Sequence, residues 1–356
     1  MSERHSRRQF LRTTGLAGVA VAHARGAAPA APDTGGYIDC QSHVYPPVLL
    51  DYMETRTQPP LAYRRGEERH TLVGEWHRKV LPRHTDLKDK LADMDRVGIA
   101  TTLLSINDPG PECFGADGLK LARMANDYLG EAARAHPGRF VPLAVLPLQD
   151  MEASLVELDR SVDQLGARGI LLYSNLNGRF PDEPQFRPLF RRAEELELPV
   201  LLHPAYPVTF DVMRDYQMTG MLGLMFDTSI ALCRIILSGL LEQHPRLKLV
   251  CPHVGGTLPY LIGRVDHQTQ VLKRGAENIK KPPSEYLRQV YLDVVTPLPL
   301  AIRLAYDMVG PDHLLYGSDH PWVDPGLIAE AVKSLRLPPE DERKIFRENA
   351  KRLFRL

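Results

Sequence analysis

No charge of one sign dominates this chain: 44 lysines and arginines balance 44 aspartates and glutamates, and no basic block interrupts the body of the sequence. That absence excludes the electrostatic footprint of a nucleic-acid binder or of a protein held on an acidic membrane, and leaves a small molecule as the expected partner. Cysteine is scarce as well. Cys40, Cys113, Cys233 and Cys251 stand alone, with no Cys-x-x-Cys spacing, so neither a zinc knuckle nor a disulfide-stapled scaffold is indicated, and the four are read as small buried apolar residues. No Gly-x-Ser-x-Gly elbow supplies a serine nucleophile, and no Gly-x-Gly-x-x-Gly follows the first predicted strand to mark a dinucleotide site. No internal repeat is visible.

What is present is a globular composition, 44% apolar and 25% charged over 356 residues, which can bury a large core as one large domain or two ordinary ones. The N-terminus differs from the rest. Ser6, Arg7, Arg8, Gln9, Phe10, Leu11 and Arg12 precede a mildly apolar run over residues 13–22 and an Ala/Pro-rich stretch ending near Pro32. This layout predicts a twin-arginine signal and linker over residues 1–33, with export by that route to the periplasm or beyond and small residues offering cleavage near Ala22, His23 and Ala24. Its apolar run is shorter than the ~20 residues a membrane span needs, so no stable membrane insertion is expected.

From residue 34 onward, short β-branched or aliphatic runs alternate with longer segments of helical periodicity. Strands are predicted over residues 37–40, 101–106, 140–146, 169–173, 199–203, 247–251, 289–294 and 313–317. Helices are predicted between them over 86–97, 118–135, 153–165, 186–196, 229–243, 258–272, 299–308 and 325–335, with a terminal one over 339–354. Strand-then-helix units in this number predict an α/β fold, a (β/α)8 TIM barrel filling residues 34–356. Long insertions follow strands 1 and 5, on the face where such barrels keep their active sites. A doubly wound open sheet is the alternative.

Barrel strands are apolar until they reach that mouth, so polar residues at their C-terminal ends carry the functional signal. Strand one ends Asp39, Cys40, Gln41, Ser42, His43; strand five ends His203, Pro204; strand six ends Pro252, His253, Val254, Gly255, Gly256; strand eight ends Gly317, Ser318, Asp319, His320. Two imidazoles and a carboxylate from separate strands can converge on one divalent ion with an open position, and His43, His203 and Asp319 are that set. Asp93 and Asp95 read as a solvated helix face, and the Gly255-Gly256 pair as backbone clearance beside His253.

These residues resemble the amidohydrolase-related barrels of the aminocarboxymuconate-semialdehyde decarboxylase type. The resemblance runs through the strand-one motif, the Gly178-Arg179 loop with residues 186–196, and the 222–245 segment. It continues through His253 to Gly256 with residues 259–266, Gly317 to Asp319, and the closing Glu348, Asn349, Ala350. It implies that His43 and His203 bind metal, that Asp319 binds metal and handles protons, and that His253 is the general acid/base. The chain departs from the family at Gln41, where the first metal residue is normally histidine or glutamate; an amide oxygen is a weaker, neutral donor. The implied cofactor is a divalent metal, Zn2+ in the first place and Mn2+ as second candidate. The implied reaction is non-oxidative decarboxylation of a small unsaturated or aromatic carboxylic acid, by a homodimer. A lactonase-like hydrolase sharing every ligand is the alternative, and a catalytically degenerate binding protein the second. Arg264 matches a family arginine and is the candidate clamp for the substrate carboxylate, with Arg78 behind it. Tyr216 and Trp322, in predicted mouth loops with Tyr45, Trp76 and Tyr206, are candidates to wall the substrate.

Overall fold

Runs such as Ile170–Tyr173 and Val200–His203, buried at every position, have no polar face to offer water and are stable only as strands covered on both sides. In the computed structural model, which describes residues 35–356, they are. The chain forms β1 (Tyr37–Val44), then β2 (Leu61–Arg65), β3 (Glu68–Val73) and β4 (Trp76–Val80), then β5 (Ile99–Ile106) and β6 (Phe140–Pro142). It continues through β7 (Ile170–Tyr173), β8 (Val200–His203), β9 (Leu249–Cys251), β10 (Tyr291–Asp293) and β11 (Leu314–Leu315). One parallel sheet has the order β1-β5-β6 and the other β11-β10-β9-β8-β7. Their edges are linked by single parallel bridges, Ala144 to Ile170 and Ser42 to His320. The Cys40 N–H donates to the Tyr316 carbonyl at 2.9 Å and the His43 N–H to the His320 carbonyl at 2.7 Å. Each of these parallel strands overlaps one expected from sequence. The twin-arginine segment expected over residues 1–33 lies outside the described residues.

Helices start and stop where side-chain chemistry dictates. Asp86, Asp150 and Asp324 cap Leu87–Val97, Met151–Leu165 and Pro325–Ser334 by accepting backbone N–H groups, and Gly98 and Gly166 end the first two at positive φ. The apolar stripes meet the sheets through residues such as Leu129, Leu158, Phe190, Ile235 and Ile328, all fully buried. The helical stretch Asp215–Leu237 is long and apolar enough to cross a membrane, with mean hydropathy 1.6. Here its Ala231, Leu232, Ile235 and Ile236 pack into the core. Cys40 and Cys251 are buried as expected; Cys113 and Cys233 are only partly so, and all four are free.

Two features differ from the sequence reading. The segment between β1 and β5 contains the antiparallel sheet β2-β3-β4, which the reading lacked. Its signal was legible: Gly66-Glu67 and Gly74-Glu75 are two-residue hairpin loops with glycine at φ 61° and 56°. A Cβ on Gly74 would also meet the Tyr206 ring at 2.5 Å, which shows how closely this sheet approaches the segment after β8. The helix expected over residues 229–243 is instead Leu224–Leu237 followed by Leu240–Gln243. Gly239, at φ 73°, breaks it, and a Cβ there would fall on the Asn278 carbonyl oxygen.

Gly239→Ala therefore combines left-handed strain with a backbone collision. It is expected to lower stability by about 1–3 kcal/mol, read as a reduced denaturant midpoint with an unchanged slope.

Candidate metal centre

Parallel register carries the polar strand ends to one mouth. His43 pairs with Ser105 across β1 and β5, and Tyr173 with His203 across β7 and β8. The His43 and His203 rings lie edge to face with centroids 4.2 Å apart. His43 Nε2 is 3.3 Å from Asp319 Oδ1, and His253 Nε2 is 3.6 Å from Asp319 Oδ2. One ligand atom from each of His43, His203 and Asp319 lies within 4.8 Å of the others.

The surrounding hydrogen bonds set which nitrogen faces the centre. Ser105 Oγ donates to the Ser42 carbonyl at 3.2 Å, so it accepts from His43 Nδ1 at 2.7 Å. His203 Nδ1 donates to the Pro204 carbonyl at 2.8 Å. Both rings are thereby tautomerised with the Nε2 lone pair inward, and both Nε2 atoms are buried without a hydrogen-bond partner. Gln41 completes the pattern. Its Nε2 donates to Asp319 Oδ1 at 3.4 Å, while its Oε1 is buried and unpartnered. Orphaned acceptors of this kind are costly in a dry interior, and a divalent cation would satisfy all three at once. The residues fit a metal, with His43, His203 and Asp319 as the donors and the Gln41 amide oxygen beside them.

Electrostatics separate the roles. Burial pulls His203 well below the ordinary imidazole value, with His43 adding to the effect, so its imidazole is neutral and able to ligate. Burial would raise Asp319, but its hydrogen bond from His253 and the charge of that imidazole hold it well below the carboxylate range. Burial would lower His253, but its hydrogen bond to Asp319 and the charges of Asp319 and Asp293 raise it instead. Asp293, pushed up to about 7 by burial, accepts the His253 backbone N–H at 2.7 Å. That contact fixes a residue whose φ is 54°.

Sequence reasoning missed the support behind Asp319. Lys90 is 2% exposed, and its ammonium donates to Ser42 Oγ at 2.6 Å, to His320 Nδ1 at 2.7 Å and to the His320 carbonyl at 3.3 Å. His320 Nε2 reaches Asp93 at 3.0 Å, so Asp93 belongs to this network, whereas Asp95 pairs with Arg139 at the surface. A lysine in an otherwise amphipathic helix gives no sequence signal that it faces inward. Asp39 similarly accepts from Ser318 N and Oγ at 2.9 and 2.6 Å. The Gly256 clearance faces Ser229 Oγ and the Met225 carbonyl, at 2.5 and 2.8 Å from a built Cβ, rather than His253.

The candidate substrate residues are not brought together. Trp322 is at the mouth, with Nε1 donating to Asn107 at 2.7 Å and its ring 4.4 Å from His84. Tyr216 is 86% exposed at φ 56°, turned to solvent by its left-handed backbone. Arg264 is exposed on the outer face of Leu258–Asp266 and makes no ion pair among the described residues, so within one chain it clamps nothing. Arg78 is at the mouth but already paired with Asp108 at 2.6 Å.

Nearby, Glu112 is 6% exposed, and burial, with the Asp108 charge, pushes its carboxyl up to about 8. Asp108, Tyr173 and Cys113 are the polar groups around it. Below pH ~4.5 the group is protonated in both folded and unfolded states. Between there and about 8 the unfolded chain releases the proton first, so stability falls as pH rises. Glu112→Gln should remove that slope and stabilise the protein by a few kcal/mol at pH 9 but not at pH 4, measured by denaturant unfolding at each pH.

Comparison with known proteins places this geometry. The chain is 31% identical over 306 residues to gamma-resorcylate decarboxylase of Rhizobium sp. (strain MTP-10005), covering 80% of this chain and 91% of the relative. It is 29% identical over 271 residues to 2-amino-3-carboxymuconate-6-semialdehyde decarboxylase of Dictyostelium discoideum, covering 73% and 74%. The crystal structure of dihydroxybenzoic acid decarboxylase from Polaromonas sp. JS666, with bound manganese and the inhibitor 2-nitroresorcinol, superposes with a TM-score of 0.75 at 27% identity, covering 90% of this chain and 97% of that one. The amidohydrolase family model (Amidohydro_2) matches residues 38–356. The chain thus belongs to the amidohydrolase family and has its TIM-barrel fold.

Proposed function

We propose that this protein is a metal-dependent, non-oxidative decarboxylase of a small aromatic carboxylic acid, built on a (β/α)8 barrel whose long segments after strands 1 and 5 are insertions over the mouth. One observation carries the reading: His43 Nε2, His203 Nε2 and Gln41 Oε1 are buried orphans beside an ionised Asp319, and relatives with the same fold are decarboxylases. Manganese, present in the related crystal structure, suits a donor set that includes an amide and a carboxylate oxygen better than zinc does.

A bound divalent ion would supply Lewis-acid polarisation and a charge to orient the substrate carboxylate. The protein's own residues handle the proton. His253 and Asp319, 3.6 Å apart, hold one proton between them, and His253 delivers it to the ring carbon that bears the carboxylate. That carbon becomes tetrahedral; its bond to the carboxylate then breaks, carbon dioxide leaves, and the bonding pair restores the aromatic ring. One proton is consumed and nothing is oxidised. The Ser105 and Pro204 hydrogen bonds keep the two imidazoles oriented throughout.

We further propose that the protein acts as a homodimer, supported by exposed Tyr260, Val271 and Leu272 following β9. We also propose that residues 1–33 direct export by the twin-arginine route, supported by the Arg7-Arg8 pair. Replacing both arginines by lysine should leave the protein in the cytoplasm, read by cell fractionation.

Metal counting tests the main proposal. Purified protein should carry about one divalent ion per chain, lost in His203→Ala and Asp319→Ala. Manganese-loaded protein should release carbon dioxide from an aromatic acid with no hydrolysis product. His253→Gln should keep the metal and lose about 10²–10⁴-fold in kcat. Loaded protein that splits lactones without gas would overturn the reading.

A further inference from the structure

The helix Leu87–Val97 meets the core through Leu87, Leu91, Met94 and Val97, and Lys90 lies among them, as deeply buried as Met94. An apolar side chain would fill that place without electrostatic cost. An ammonium there must give up its water, and burial draws Lys90 below the ordinary lysine range against the pull of Asp39. Its contacts show what the charge is used for. Lys90 Nζ donates to Ser42 Oγ at 2.6 Å, and Ser42 stands between Gln41 and His43. It also donates to His320 Nδ1 at 2.7 Å and to the His320 carbonyl at 3.3 Å, and His320 directly follows Asp319. Asp93, about one turn further along the same helix, takes the other nitrogen of that ring at 3.0 Å. A carboxylate can only accept, so His320 Nε2 carries the proton and Nδ1 offers its lone pair to Lys90. One helix thus grips the His320 ring at both nitrogens and β1 through Ser42.

The donor set needs such a grip. His43 Nε2 and Asp319 Oδ1 stand 3.3 Å apart, and both present lone pairs to the centre, as does the buried His203 Nε2. Until an ion arrives these atoms repel one another. Asp319 also holds a φ of 57°, a backbone state that persists only where its surroundings impose it. Backbone bonds join the same segments, from the His43 N–H to the His320 carbonyl at 2.7 Å and from the Asp319 N–H to the Gln41 carbonyl at 2.9 Å. Lys90 adds a side-chain tie that a substitution can remove without touching either strand.

We propose that Lys90, with Asp93 behind it, is a positioning residue for the metal centre, holding the segment of Gln41 and His43 against that of Asp319 so that the seat is formed before the ion binds. The inference rests on the metal-dependent reading of the site. Lys90 acts through Ser42 and His320 and has no part in the proton transfer.

The test titrates the full-length, metal-stripped protein with Mn2+ alone, reading the free ion by its electron paramagnetic resonance signal, and records the unfolding midpoint of the same samples. Lys90→Met, which suits the apolar surroundings, should weaken Mn2+ binding about 10–100-fold. Asp93→Ala, at a partly exposed position where lost ion pairs cost the fold little, should weaken it in the same direction. Asp93→Asn should restore wild-type affinity, because its amide oxygen still accepts from His320 Nε2. A role in fold stability alone would move the midpoint and leave the dissociation constant of the folded protein unchanged. Wild-type affinity in a folded Lys90→Met overturns the proposal and leaves the metal-dependent reading standing. Should that variant not fold, wild-type affinity in Asp93→Ala overturns it instead. A wild type that binds no Mn2+ overturns both the proposal and the metal-dependent reading.

Discussion

The strand that opens the described chain and the strand that closes the sheet order meet through a buried carboxylate. Asp39 is 2% exposed, and burial pushes its carboxyl upward against the pull of its partners. Ser318 N and Oγ and the Gln41 N–H all donate to it. A carboxyl in that position is tolerable only with every lone pair engaged. The same few contacts hold Gln41 against Asp319, residues 278 positions apart in sequence. Without this seam His43 and Asp319 would belong to different edges of different sheets.

Around the seam, polar side chains are used in pairs across the mouth. Lys90 joins β1 to the loop after β11, and Asp293 ties β10 to the turn that presents His253. Asp227, fully buried, accepts from Ser174, Asn175 and the Val208 N–H, which fixes the segment after β8 against the end of β7. Each of these carboxylates and the ammonium lies outside the central group. The strain visible at His253, Val254 and Asp319, all at positive φ, is sustained by these contacts.

Much of this was legible from sequence because parallel strands write themselves as aliphatic runs ending in polar residues. His43, His203, His253 and Asp319 stand at such ends, and the structure brings them together. The residues that sequence could not place depend on three-dimensional neighbours. Lys90 and Asp93 sit on a helix with ordinary amphipathic spacing, and only the packing against Ser42 and His320 turns them inward. Arg78 reads as a second clamp candidate in the long first insertion, and its pairing with Asp108 is visible only in the structure. Tyr216 is a different case: a position in a mouth loop does not fix which way its side chain points, and here it is 86% exposed. Gly74 and Gly66 did carry a legible hairpin signal, masked by the polar character of the strands beside them.

The contact of the two terminal regions also orders the protein's birth in time. Tyr37 stacks on Phe346 at 4.2 Å, and the His43 N–H is received by a carbonyl of residue 320, so β1 waits for segments that are made much later. Contacts between such distant parts of a chain form late, after loop closure across the whole sequence. A nascent chain halted before Asp319 holds its imidazoles but not the seat for them, and the centre forms only once the segment through His320 has been made.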